Sequence, residues 1–247
     1  MDYDNILLSA AADLYTLCEK RGSAVFSRFY DGAEQVILKD NKLINQGAFL
    51  YGGHTECERK ILGVFPDWQE PDTEEFPIAL IKISLGFSKN LTHRDYLGSL
   101  MGLGIERDRI GDIVVCDKEA YVFVHNSVSD YVINNLKKIG SCGVKLCYHN
   151  INDFVYPEGK YTLNNVVAAS TRLDAVVGAA ANLSRSKAAN LIEKDKVSVD
   201  HRPINDCSKK VNQGELLSIR GFGRYQVEQI NGETRSGRLH LTIKKYL

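Results

Sequence analysis

Two short stretches place cations where a helix begins. Arg172-Leu173-Asp174 opens a segment with apolar residues at Leu173, Val176, Val177 and Ala180, one face of a 3.6-residue period. Asn182-Leu183 ends that segment, and Ser184-Arg185-Ser186-Lys187 opens a second one carrying Ala188, Leu191 and Ile192 inward. Ser184 has the side chain of an N-cap. A helix start carries unpaired backbone N–H groups and the positive end of the dipole. Cations there disfavour the helix alone and make sense where an anion such as a phosphate sits. The chemistry predicted is phosphate binding, with no bond broken.

The surrounding elements must hold these starts together. Val197 and Val199 alternate as a strand, and Asp200-His201-Arg202-Pro203 turns the chain. Val211, Gly214, Leu216 and Ile219 supply a further turn and strand, followed by Arg220-Gly221-Phe222-Gly223-Arg224-Tyr225. Arg238–Lys244 completes a small sheet, and Tyr161–Val167 alternates weakly as another strand. The candidate nucleic-acid backbone contacts are Arg172, Arg185, Lys187 and Lys194, supported by Lys210, Arg220 and Arg224. Ser184 and Ser186 are candidate donors to phosphate. Asp174 is expected to orient a neighbouring arginine, and Gly221 and Gly223 to let a backbone approach closely. Each cation taken alone reads equally well as solvated surface charge.

The 247 residues carry no net charge. The distribution is uneven, because residues 170–247 hold 14 Lys and Arg against 8 Asp and Glu, while the rest hold 17 against 23. A basic C-terminal third beside an acidic remainder fits one part meeting a polyanion. The six cysteines (Cys18, Cys57, Cys116, Cys142, Cys147 and Cys207) form no Cys-x-x-Cys pair, so they read as reduced thiols and no zinc site is legible. Neither a signal peptide nor a membrane span is readable, and a cytoplasmic location is expected.

Residues 78–149 repeat a clear rhythm: strand Ile78–Leu85, helix Thr92–Leu103, strands Ile113–Cys116 and Ala120–His125, helix Ser127–Ile139, strand Val144–His149. This β-α-β-β-α-β order is a ferredoxin-like unit. RNA-recognition modules of that order stack bases on sheet aromatics. Tyr121 and Phe123 share one face of a strand, but the glycine-rich aromatic signature is missing, so packing is their expected role. Upstream, residues 2–19 form an amphipathic helix, a second helical region covers 24–39, and Phe65–Phe76 reads as a linker or irregular edge.

Thr171-Arg172-Leu173-Asp174, Leu183-Ser184-Arg185-Ser186 with Ala188 and Leu191-Ile192, and Val197-Ser198-Val199 resemble the S4-type RNA-binding domain over roughly 170–219. One departure stands out: Asp200-His201 replaces the usual Asn-Gly turn. Glu58-Arg59-Lys60, Thr92-His93-Arg94-Asp95-Tyr96-Leu97-Gly98, Ile110-Gly111-Asp112-Ile113 and Arg220–Tyr225 extend the resemblance to the YlmH family of S4-domain RNA-binding proteins, also called RqcP. The resemblance implies an α+β chain with three parts: a small, mainly helical N-terminal region over 1–76, a ferredoxin-like RNA-binding middle domain over 77–160, and an S4-type αL RNA-binding domain over 161–247. It implies binding to rRNA and tRNA on the large ribosomal subunit, in ribosome-associated quality control with alanine tailing of stalled chains, and it carries a link to cell division.

Two rivals remain in view. Arg172-Leu173-Asp174 mimics a motif of pseudouridine synthases, but the small polar segment expected after it is replaced by Ala175-Val176-Val177-Gly178. A cell-division interaction module is the other. No cofactor loop, metal-binding spacing or catalytic triad is legible, so a non-enzymatic monomer without cofactor, metal, small-molecule substrate or membrane attachment is expected. On this reading, Arg172→Ala with Arg185→Ala is expected to abolish ribosome association at a nearly unchanged melting temperature.

Overall fold

The computed structural model describes residues 3–45, 47–86, 91–116, 119–157, 161–234 and 237–246. Two compact units are present, Met1–Pro157 and Glu158–Leu247.

In the first unit, helix α1 (Tyr3–Arg21) buries Leu7, Ala11 and Cys18 along one stripe. The predicted helix over 24–39 is instead strand β1 (Val25–Tyr30) followed by helix α2 (Gly32–Asp40). The break has a local cause: Asp31 accepts from the Glu34 backbone, and Glu34 reaches back to the Asp31 backbone, a capping box that starts α2 afresh. β2 (Ala48–Tyr51) and β3 (Lys60–Val64) complete an antiparallel sheet in the order β1-β3-β2. The N-terminal region thus adds a three-stranded sheet to its two helices.

Next come β4 (Ile78–Leu85), α3 (His93–Met101), β5 (Ile110–Val115), β6 (Glu119–His125), α4 (Asn126–Asn135), β7 (Lys138–Ile139) and β8 (Cys142–His149). The antiparallel sheet runs β5-β6-β4-β8-β7, a ferredoxin-like order with a short extra edge strand. Thr92 caps α3, and the Asp95 carboxylate accepts from the Thr92 backbone at 2.7 Å. The helices cover one face, burying Ile81, Ile83, Tyr96, Leu100, Val122 and Val132.

Alternation along β6 sends Tyr121 and Phe123 to the opposite face. There Phe123, Leu80 and Ile78 share a core with Phe29, Ile61, Phe65 and Phe76. Residues 1–76 and the middle region therefore belong to one unit, and Phe123 is fully buried. The expected linker Phe65–Phe76 is part of this core. Its two end rings join Phe26 and Phe49, with Phe26 and Phe76 centroids 4.9 Å apart. Gly53 has φ +97° and touches Phe123 so closely that a Cβ would lie 2.5 Å from the ring. Asp112 adds a polar clamp, accepting from Glu58 N at 2.8 Å, Arg59 N at 2.9 Å and the Tyr156 hydroxyl at 3.2 Å. Arg59 Nε donates to Ile110 O at 3.0 Å. Arg59 and Asp112, both within motifs of the family resemblance, hold this unit together.

The second unit contains β9 (Tyr161–Ala168), α5 (Leu173–Ala181), α6 (Arg185–Glu193), β10 (Val197–Val199), β11 (Arg202–Pro203), β12 (Leu216–Ile219), β13 (Gly223–Glu233) and β14 (Leu239–Tyr246). The antiparallel sheet runs β11-β10-β12-β13-β14-β9. Leu173, Val176 and Val177 of α5 and Ala188 and Ile192 of α6 pack with Val197, Leu217, Tyr225 and Ile243 of the sheet. Asn182 ends α5 in the left-handed conformation, and Leu183 N donates to Gly178 O at 2.8 Å.

The unusual Asp200-His201 turn joins β10 to β11 with Val199 opposite Arg202. Asp200 has φ +45° and His201 φ +67°, the geometry that normally selects Asn-Gly. Asp200 repays its conformation, since its Oδ1 accepts from Leu216 N at 2.8 Å. His201 is a residue type that Gly normally replaces in this position. His201→Gly is expected to stabilise the fold by about 1 kcal/mol, read as a rise in the urea midpoint at constant m.

Candidate nucleic-acid interface

The start of α5 is strapped by the segment after β11. Leu173 N donates to Lys209 O and Val211 N to Thr171 O, both at 2.8 Å, and Arg172 faces Lys210 in a β-bridge. This pairing brings Lys210, distant in sequence, beside Arg172. Asp174 N donates to Cys207 O at 3.3 Å. The first N–H groups of α5 are thus satisfied by the protein, so any anion here meets side chains rather than bare helix donors.

Asp174 joins the two helix starts. It is 4% exposed. Its carboxylate accepts from Arg172 Nε and Nη2, both at 3.2 Å, and from Arg185 Nε at 2.9 Å. Burial works against the charge of Asp174, but the bonds from Arg172 and Arg185 outweigh it and hold the carboxyl below its usual range. The orienting role predicted for Asp174 covers two arginines instead of one. The arginine side chains stay 40% and 60% exposed. A guanidinium has five donors, and Asp174 takes two from Arg172 and one from Arg185.

Ser184 caps α6, its Oγ accepting from Lys187 N at 3.3 Å and lying 3.2 Å from Ser186 Oγ. Ser184, Arg185, Ser186 and Lys187 are all exposed. Arg172, Lys210, Arg185, Lys187 and the two serines therefore gather around the paired helix starts. Lys194 does not. It forms the C-cap of α6, roughly 13 Å along the axis, where its charge suits the negative end of the helix.

Arg220 and Arg224 flank the β12–β13 hairpin. Its tip is Arg220-Gly221-Phe222, closed by Phe222 N donating to Ile219 O at 2.9 Å. Gly221 and Gly223 have φ of +88° and +110°, and nothing lies within 4 Å of a Cβ built on either. Both glycines are required by the turn, and both leave open space outside it. Arg220 N donates to Lys196 O at 2.9 Å, and the Arg224 guanidinium sits 5.9 Å from the Tyr246 ring centroid. Lys196, Ser198, His201, Ser218, Arg220 and Arg224 line a shallow concavity of about 410 Å³. Sequence reading passed over Lys196 and Phe222. The signal for Phe222 was an aromatic residue between two glycines and two arginines.

Among the described residues, no group of three or more His, Cys, Asp or Glu could hold a metal ion, and no helix is long and apolar enough to cross a membrane.

Residues 171–217 match the S4 domain, and residues 71–153 match the family described as "Putative RNA-binding domain in YlmH". Fold and matches together define an α+β protein carrying RNA-binding domains. Ribosome-associated protein quality control protein P2 of Bacillus subtilis (strain 168) is 31% identical over 219 residues, 88% of this chain and 85% of its own length. The chain belongs to the YlmH family of S4-domain RNA-binding proteins. A solved structure, cell division protein ylmH from Streptococcus pneumoniae, shares the fold at a TM-score of 0.53 with 20% identity, over 63% of this chain and 96% of that one.

Proposed function

We propose that this chain is a cytoplasmic, non-enzymatic factor that binds rRNA and tRNA on the large ribosomal subunit and acts as a monomer in ribosome-associated quality control, where alanine tails are added to stalled chains. The observation that carries this reading is the junction at Asp174, which fixes two half-exposed guanidinium groups beside Lys187, Lys210 and two serine hydroxyls. Such a cluster neutralises phosphates and releases counterions. A guanidinium fork matches phosphate oxygens and keeps that match when pre-oriented. The relative named for ribosome-associated quality control supports the choice of RNA. Against a pseudouridine-synthase role, the Asp174 carboxylate is buried and both its oxygens accept from arginine.

Sedimentation with purified large subunits tests the reading. The chain is expected to pellet with them and to be released by salt. Four cations at the helix starts correspond to a slope of log K against log salt of about −3 to −4. A chain that stays in the supernatant at low salt would remove the proposal.

A further inference from the structure

Leu183, Ser186, Lys187, Asn190, Leu191 and Phe222 line a groove of about 400 Å³ between α6 and the β12–β13 hairpin tip. Phe222 is 38% exposed, although a hairpin tip normally carries polar residues. Its glycine neighbours leave room on both sides. Leu183 and Leu191 supply an apolar floor, while Ser186 and Asn190 place a hydroxyl and an amide on the rim. Lys187 lines the groove, and Arg220 precedes Phe222 on the hairpin. Helical spacing puts Lys194 next after Asn190 on the same side of α6. The S4 match ends at residue 217, so Phe222 lies outside it.

An unpaired nucleobase needs these parts together: a π-face to stack on, an amide for its edge and a cation for its phosphate. A paired duplex cannot use the groove, because its bases are already stacked. The cationic rim favours a polyanion over an apolar helix, and two leucines make too short a stripe to seat one. We propose that Phe222 stacks an unpaired base of the bound RNA, with Asn190 at the base edge and Lys187 at its phosphate. This rests on the RNA-binding reading above and adds a preference for unpaired nucleotides.

The test uses the full chain and two RNAs: a hairpin whose adenine-rich loop carries one 2-aminopurine, and a blunt duplex of the same stem. The wild type is expected to bind the hairpin more tightly and to quench the 2-aminopurine. Phe222→Ala should weaken hairpin binding by about 5- to 100-fold, abolish quenching and leave duplex binding unchanged. Phe222→Trp should restore both. The fold tolerates the change, because the hydrogen bonds of Phe222 come from its backbone, the N–H donating to Ile219 O at 2.9 Å and the carbonyl accepting from the Tyr225 hydroxyl at 3.0 Å. Unchanged hairpin binding in Phe222→Ala, the result if a peptide or a second copy filled the groove, overturns the proposal. So does an equal loss on both RNAs. In either case the phosphate-binding reading stands; failure of the wild type to bind either RNA removes both.

Discussion

Alanine at both Arg172 and Arg185 is expected to lower RNA affinity by about 100-fold or more, taking each charge-assisted contact as worth at least a factor of 10. The salt slope should become shallower by about 1.5 to 2 as two phosphate contacts disappear. Filter binding or sedimentation across a salt series reads both quantities. The expectation of an unchanged melting temperature does not survive the structure. Asp174 is 4% exposed and both arginines are its partners, so their removal strands a buried carboxylate. The double variant should therefore melt earlier. Adding Asp174→Asn removes the stranded charge and is expected to recover most of the melting temperature while RNA binding stays lost. A triple variant that regained RNA affinity would take the arginines out of the site.

Phe123→Ala is expected to cost about 3–5 kcal/mol of stability, the range for emptying a buried aromatic site. The ring is fully buried, meets Phe154 edge-on at 5.5 Å and fits against Gly53. Phe29 and Ile61 of the facing layer pack in the same core. Urea unfolding measures the loss. Were Phe123 a base-stacking residue on an open sheet, the substitution would instead spare stability and weaken RNA binding. Tyr121, on the same strand face and only partly buried, should tolerate alanine better.

Most middle strands and helices were legible because each carries its own signal; the exception is Lys138–Ile139, which reads as the end of the Ser127 helix and is strand β7 paired with Cys142–Gly143. Alternation marks Ala120–His125, and Thr92 with Asp95 marks a helix start. The α6 start was legible for the same reason, through Ser184. What escaped depended on distant partners. Val25–Tyr30 becomes a strand by pairing with Lys60–Val64, and no local pattern announces that pairing. Phe65 and Phe76 sit among prolines and acidic residues that imitate a linker, yet their rings are core. At the site, the arginines were visible as types and positions. Their convergence on one carboxylate, and the arrival of Lys210 beside Arg172, depend on how the chain returns after β11. Lys194 shared the composition of the group but lies at the wrong end of its helix.

The pairing of β9 with β14 has a consequence for how this unit is made. Tyr161 lies opposite Tyr246, and the two strands match residue for residue across their whole length. The segment that precedes the helices thus waits for β14, and about eighty residues must leave the exit tunnel before that hydrogen-bonded edge can close. Until then β9 has no neighbour, whereas β14 folds back on β13 as soon as it emerges. Because the start of β9 and the end of β14 lie side by side, joining them with a short linker and opening the unit at another loop should yield a permuted version of this unit that still folds.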